Sequence, residues 1–210
     1  MNYSKYIDHT LLKPTATSDQ IKKLCQEAKE NGFYSVCVNP FYVALAKQEL
    51  YGSDVKVACV IGFPLGANLT EIKRQEALLA VKDGAEELDM VINQGLFKMG
   101  KYDEVIEDIN AVCEAGVLVK VIVETSNMTQ DEVKIATDLV NKSNAHFIKT
   151  STGFVGEGAR LEDVKIMSSN ITEGKYVKAS GGIRDKEKFL QMIEAGATRI
   201  GTSSGVELVK

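Results

Sequence analysis

The chain has 210 residues, 44% hydrophobic and 26% charged, a balance that suits one globular domain over residues 1–210 with most of its apolar surface buried. Its formal net charge of −4, with no Lys/Arg block, leaves no electrostatic footprint for nucleic acid.

The first eight residues, Met1 to Asp8, lack the apolar core of a signal peptide, and no later run reaches the length of a membrane span. A cytoplasmic location with no membrane partner is therefore expected. From there the chain alternates short β-branched runs with longer amphipathic segments, the pattern of β/α units on a parallel sheet. The strand candidates are Tyr6–Leu11, Phe33–Val38, Val55–Ile61, Glu87–Ile92, Val117–Glu124, His146–Thr150, Tyr176–Ala179 and Arg199–Gly201. Thr17-Ser18-Asp19-Gln20 and Thr129-Gln130-Asp131-Glu132 have the capping-box spacing that starts a helix. Asn31-Gly32, Asp83-Gly84, Ala115-Gly116 and Ala195-Gly196 each close a helical pattern just before an apolar run. Between these signals, Val105, Ile106, Ile109, Val112 and Cys113 line one helical face, as do Val133, Ala136, Thr137 and Val140. Roughly eight such units in a chain of this length predict an α/β fold, a compact single-domain (β/α)8 TIM barrel. An open doubly wound sheet is the competing arrangement.

Cys25, Cys37, Cys59 and Cys113 form no Cys-x-x-Cys pair, and His9 and His146 are isolated, so neither a disulfide framework nor a metal site is expected. The chemistry lies elsewhere. Several apolar runs carry one lone charge: Asp89 in Leu88–Ile92, Lys120 in Leu118–Ile122, Lys149 in His146–Thr150 and Lys178 in Tyr176–Ala179. A frayed strand end or a snorkelling side chain explains any one of them. A series of them points to a polar barrel interior.

Strand alternation sends Leu88, Met90 and Ile92 toward the helices and leaves Asp89 facing inward. Lys149 and Lys178 fall on adjacent strands about 4.8 Å apart, so their ammonium groups are expected within roughly 4–6 Å. At ~5 Å and an effective dielectric of ~20 the repulsion is about 3 kcal/mol, or roughly two pKa units on one amine. Desolvation adds to this and favours a neutral, nucleophilic lysine, the group that forms an imine with a carbonyl substrate. Asp89 would then shuttle protons. A buried Lys–Asp–Lys network without chemistry is the alternative, and nothing in the pattern chooses between the two lysines.

A second signal closes the chain. Ser180-Gly181-Gly182-Ile183-Arg184 follows the seventh strand, and Gly201-Thr202-Ser203-Ser204-Gly205 follows the eighth. Loops after the last two strands of such barrels recurrently hold phosphate, with glycines allowing close backbone approach.

These residues, with Asp8-His9-Thr10-Leu11-Leu12, Gly62-Phe63-Pro64-Leu65-Gly66, Glu87–Asn93 and Lys149-Thr150-Ser151-Thr152-Gly153, resemble the deoxyribose-phosphate aldolases, a family of class I aldolases. The matching segments run nearly the length of the chain. The resemblance implies reversible cleavage of 2-deoxy-D-ribose 5-phosphate to D-glyceraldehyde 3-phosphate and acetaldehyde, in deoxyribose phosphate catabolism, with no metal or organic cofactor. It assigns the imine to Lys149, a pKa-lowering and proton-relaying role to Lys178, and the proton shuttle to Asp89. Thr152, Gly153, Gly181, Gly182, Gly201, Ser203 and Ser204 are implied to bind the phosphorylated substrate, with Asp8 and Lys120 in the supporting polar network of that site. The family also implies a homo-oligomer, dimer or tetramer. Two departures stand out. Phe154 replaces a lysine that some relatives place near the phosphate, and the chain stops at Lys210 without the tyrosine-ending tail of some relatives. Rival readings are a transaldolase-like or longer-chain sugar-phosphate aldolase and a phosphate-binding barrel without turnover.

Overall fold

The computed structural model describes residues 2–210. Eight parallel strands pair in sequence order and close on themselves: β1 (Ile7–Leu11), β2 (Ser35–Val38), β3 (Lys56–Ile61), β4 (Glu87–Val91), β5 (Leu118–Ile122), β6 (Phe147–Lys149), β7 (Tyr176–Ser180) and β8 (Arg199–Thr202). The pairing of β8 with β1 makes the sheet a barrel and rules out the open doubly wound arrangement. Around it run α1 (Ser18–Asn31), α2 (Val43–Glu49), α3 (Thr70–Asp83), α4 (Gln94–Lys98), α5 (Tyr102–Cys113), α6 (Gln130–Lys142), α7 (Leu161–Asn170), α8 (Lys186–Glu194) and α9 (Gly205–Val209). Among the described residues no helix is long and apolar enough to cross a membrane.

The local signals act as their chemistry requires. Thr17 and Gln20 form both hydrogen bonds of a capping box at the start of α1, and Thr129 and Glu132 do so at α6, so orphan N–H groups of each first turn are satisfied reciprocally. Gly32 ends α1 at φ 62°, a left-handed conformation that glycine adopts without a Cβ clash.

Side-chain alternation divides the strands into two environments. Outward residues such as Val36, Val57, Leu88, Met90, Val119, Val121, Ile148 and Val177 join the helices in one buried apolar cluster. Inward, Cys37, Ala58 and Val60 make a small apolar patch with Leu12 on one side of the barrel. Much of the rest of the interior is charged: Asp8, Glu87, Asp89, Lys120, Lys149, Lys178 and Arg199 are all buried. Burial of so many ions is tolerable only because they pair with one another.

Two backbone features shape the carboxyl ends of the strands. Gly66 lies against β4's exit, where an added Cβ would come within 1.9 Å of the Ile92 carbonyl oxygen. Outside the barrel, the buried Lys73 ammonium on α3 donates to Asp108 on α5 at 2.6 Å and to the Val91 carbonyl at 3.0 Å, tying two helices to the end of β4. β5 ends two residues short of its predicted boundary, because Glu124 turns to φ 59° and leaves the extended region.

Candidate active site

The barrel register sets the site. Asp89 pairs with Lys120 across β4 and β5, and Lys149 pairs with Lys178 across β6 and β7. In a parallel sheet such partners stand at the same height with side chains on the same face, so the two lysines lie side by side in the interior. Asp89 Oδ2 accepts from both amines, 2.7 Å from Lys149 Nζ and 2.7 Å from Lys178 Nζ, while its Oδ1 accepts from Lys120 at 2.8 Å.

Deeper in, Lys178 also donates to Asp8, which accepts from Arg199 at 2.8 Å and from the Ser35 hydroxyl at 2.7 Å. Lys120 bonds Glu87 at 2.5 Å, and Arg199 reaches Glu87 at 3.2 Å. The Arg199 guanidinium packs 3.3 Å over the Tyr34 ring. Within this network the cations Lys120, Lys149, Lys178 and Arg199 outnumber the carboxylates Asp8, Glu87 and Asp89. One ammonium is therefore in excess.

The environments decide which one. Burial disfavours the Lys149 ammonium most strongly; Asp89 supports it, the Lys178 cation opposes it, and the pKa falls below the ordinary lysine range. Burial also works against Lys178, but Asp8 and Asp89 together outweigh it and hold its pKa above that range. Lys120 is likewise held above the ordinary lysine range against burial by Asp89, Asp8 and Glu87. Burial resists ionisation of Asp89 as well, yet Lys120, Lys149 and Lys178 keep its pKa well below the usual carboxylate value. From the sequence, like-charge repulsion between the two lysines is expected to dominate. In the structure desolvation leads, because Asp89 lies between the two amines and takes up part of their repulsion.

A cavity of about 200 Å³ opens at the carboxyl ends of the strands. Lys149, 3% exposed, lines it; Lys178, Lys120, Asp89 and Asp8 lie behind, wholly buried. Cys37 is also buried, with its Sγ 4.0 Å from Asp89 Oδ2, and its pKa is raised to about 11, chiefly by burial.

The outer end of the cavity is built from the loops after β6, β7 and β8. Gly153, Gly181, Gly182, Gly201 and Ser203 line it, whereas Ser204 does not and instead donates its N–H to Thr202 Oγ1. Gly181 and Gly182 have φ 88° and 68°, and a Cβ on Gly182 would meet the Glu157 carbonyl oxygen at 2.8 Å. Gly201 gives room of another kind: a Cβ there would press on the Lys178 side chain at 3.2 Å. Thr152 lines the cavity, but both its N–H and its hydroxyl donate to Glu124 Oε2.

Lys13 and Arg184, which the sequence reading left out of the site, bring two exposed cations to this end. Arg184 had a signal, standing directly after Gly181-Gly182-Ile183. Glu124 and Arg199 had none, since each gains its meaning from a partner on another strand. Phe154 lines the mouth and packs edge-on against Phe63, ring centroids 5.1 Å apart. Among the described residues no His, Cys, Asp and Glu side chains converge as a metal-holding group.

Known proteins align with this architecture along the whole chain. The pattern of the DeoC/LacD aldolase family matches residues 3–208. The chain is 55% identical over 212 residues to the deoxyribose-phosphate aldolase of Staphylococcus carnosus, covering 100% of this chain and 96% of that one. To the deoxyribose-phosphate aldolase of Clostridium tetani it is 53% identical, with 100% and 99% covered. The solved tetrameric deoxyribose phosphate aldolase of Aeropyrum pernix superposes with a TM-score of 0.90 at 35% identity, over 99% of this chain and 89% of that one. A buried lysine open to a small cavity thus stands in a chain that belongs, over nearly its full length, to the DeoC/LacD family of aldolases, and the protein is a lyase of that family.

Proposed function

We propose that the protein cleaves 2-deoxy-D-ribose 5-phosphate reversibly to D-glyceraldehyde 3-phosphate and acetaldehyde through an imine on Lys149, in the breakdown of deoxyribose phosphates in the cytoplasm. The observation that carries the reading is that Lys149, alone among the interior lysines, both lines the cavity and has its ammonium disfavoured. The names of the relatives support the substrate.

The neutral Lys149 Nζ adds to the open-chain aldehyde carbon, and the carbinolamine loses water as one proton is delivered to the departing hydroxyl. Lys178, whose surroundings favour the charged form, is suited to supply that proton through Asp89, which hydrogen-bonds both amines. The C3 hydroxyl proton then passes through water and Asp89 to the Lys178 amine left neutral by the first step, the C2–C3 bond breaks, and its electron pair flows into the protonated imine; Lys178 later returns that proton to the enamine carbon. D-glyceraldehyde 3-phosphate leaves and an enamine remains on Lys149. Protonation of the enamine carbon and addition of water release acetaldehyde and restore the amine. Asp89 does not line the cavity, so its role is to pass protons between amines and water, not to touch the sugar.

At the outer end, the N–H groups of the Gly181-Gly182 turn and the cations Lys13 and Arg184 suit a phosphate dianion. The tetrameric Aeropyrum pernix relative supports a homo-oligomer, which light scattering on the purified chain would establish.

Borohydride reduction in the presence of acetaldehyde tests the mechanism. A reduced two-carbon adduct is expected on Lys149, with loss of cleavage, and no adduct in Lys149→Arg. An adduct elsewhere, or none, rejects the assignment.

A further inference from the structure

Glu124 takes no part in the steps above, yet it is among the most constrained residues of the barrel. It stands two residues beyond Ile122, the last residue of β5, and its carboxyl reaches the loop after β6. Its φ of 59° makes it the one described non-glycine residue in the left-handed region, and its side chain is fully buried. A strained backbone and a buried carboxyl are both unfavourable and persist where the surroundings over-determine them.

What the carboxyl holds is specific. Oε2 accepts from the Thr152 N–H at 3.2 Å and from the Thr152 hydroxyl at 2.5 Å. Thr152 Oγ1 accepts in turn from the Phe154 N–H at 3.1 Å. This short chain of bonds runs from the end of β5 to the loop after β6, and Thr152, Gly153 and Phe154 form one wall of the cavity. The hydroxyl proton is committed to Glu124, which leaves the oxygen free to accept from Phe154. Glu124 Oε1 is buried without a partner among the described residues, so the bonds from Thr152 are the only ones that hold the carboxyl in place. Burial raises the pKa of this carboxyl, with the Thr152 bonds and the nearby Lys149 charge acting in the opposite direction.

We propose that Glu124 is a positioning residue: by holding both donors of Thr152 it fixes the Thr152–Phe154 wall and so sets the affinity of the cavity for the phosphorylated sugar, without entering the covalent chemistry at Lys149. This rests on the function proposed above. The wall is set before substrate arrives, and Thr152 contributes to the site as a cornerstone and not as a phosphate donor.

Four full-length variants test it: Glu124→Ala, Glu124→Gln, Thr152→Val and the Glu124→Ala/Thr152→Val pair. With deoxyribose 5-phosphate, Glu124→Ala is expected to raise KM about tenfold while kcat stays within about threefold. Borohydride trapping of acetaldehyde at Lys149 is expected to persist, and amide hydrogen exchange at positions 152 and 154 to accelerate. Glu124→Gln, whose amide oxygen accepts the same two bonds, is expected to return KM to within about threefold of the parent. Thr152→Val is expected to reproduce part of the KM increase, and the pair to add little to Glu124→Ala, because both remove one interaction.

An unchanged KM in Glu124→Ala, loss of acetaldehyde trapping, or a glutamine as damaging as alanine overturns the proposal. Should Glu124→Ala not fold, Thr152→Val decides: unchanged KM and unchanged exchange at Phe154 reject it. Failure of the parent protein to cleave the sugar phosphate rejects the proposed function, and the exchange comparison between glutamine and valine variants still decides the role of Glu124.

Discussion

Replacing Lys178 with leucine separates the electrostatic account of Lys149 from every account in which the neighbouring cation is incidental. Both amines lie 2.7 Å from the same Asp89 oxygen. They are thus within about 5 Å of each other, and at an effective dielectric of ~20 the Lys178 charge penalises a protonated Lys149 by about 3 kcal/mol, roughly two pKa units. Removing it also leaves Asp89 fewer cations to serve, which favours the Lys149 ammonium further. At pH values below the parent's midpoint the neutral amine should be about 100-fold scarcer. The assay is the rate of borohydride trapping with acetaldehyde as a function of pH, which reads the free amine independently of carbon–carbon cleavage. In Lys178→Leu the midpoint should move up by roughly two units, and the rates of variant and parent should converge at high pH. Asp8 retains Arg199 and Ser35 as partners, so the barrel should survive, which circular dichroism verifies. A variant that traps acetaldehyde with the parent's pH midpoint refutes the reasoning outright.

Other perturbations report on the scaffold. Asp8 and Asp89 have folded pKa values below their unfolded ones, so the stability they contribute is complete above the ordinary carboxylate range, near pH 4, and is lost as pH falls from there toward the folded values. Asp8→Asn should cost about 3–5 kcal/mol in denaturant unfolding at neutral pH, because Lys178 and Arg199 lose a buried counter-ion, and should flatten the acid limb of thermal stability. An acid limb identical to the parent's contradicts this. Gly66→Ala and Gly100→Ala form a controlled pair, since both glycines have positive φ, 67° and 72°. An alanine at position 100 meets nothing within 4 Å and should cost only the left-handed penalty of about 1–2 kcal/mol. At position 66 it would strike the Ile92 carbonyl and should cost several kcal/mol more, measured by urea unfolding. Equal losses at the two positions count against the packing account of β4's exit.

Much of the fold is legible in the chain because its signals are local. Thr17 with Gln20 and Thr129 with Glu132 satisfy first-turn N–H groups a few residues away, so their spacing alone identifies a helix start. The inward direction of Asp89 follows equally from Leu88 and Met90 beside it. Pairings across the barrel leave no such trace. Arg199 reads as the first residue of a strand, yet it bonds Glu87 and Asp8, far away in sequence, once the sheet has closed. Lys73 reads as an ordinary helix lysine until α3 and α5 pack and bury it against Asp108. The difference in environment between Lys149 and Lys178 is hidden for the same reason. It depends on Asp8 arriving from β1 to hold one amine in its charged form, and on the cavity reaching only the other.

The interior ions share hydrogen bonds within one poorly polarisable compartment, so a substitution at one alters the partners of its neighbours. A designer who moves one lysine to another stave, or deletes one acid to widen the chamber, takes a partner from each group it bonded. Charges in the floor of this barrel are therefore best altered in matched sets, an acid together with a base, so that the surplus proton-binding site stays at the mouth.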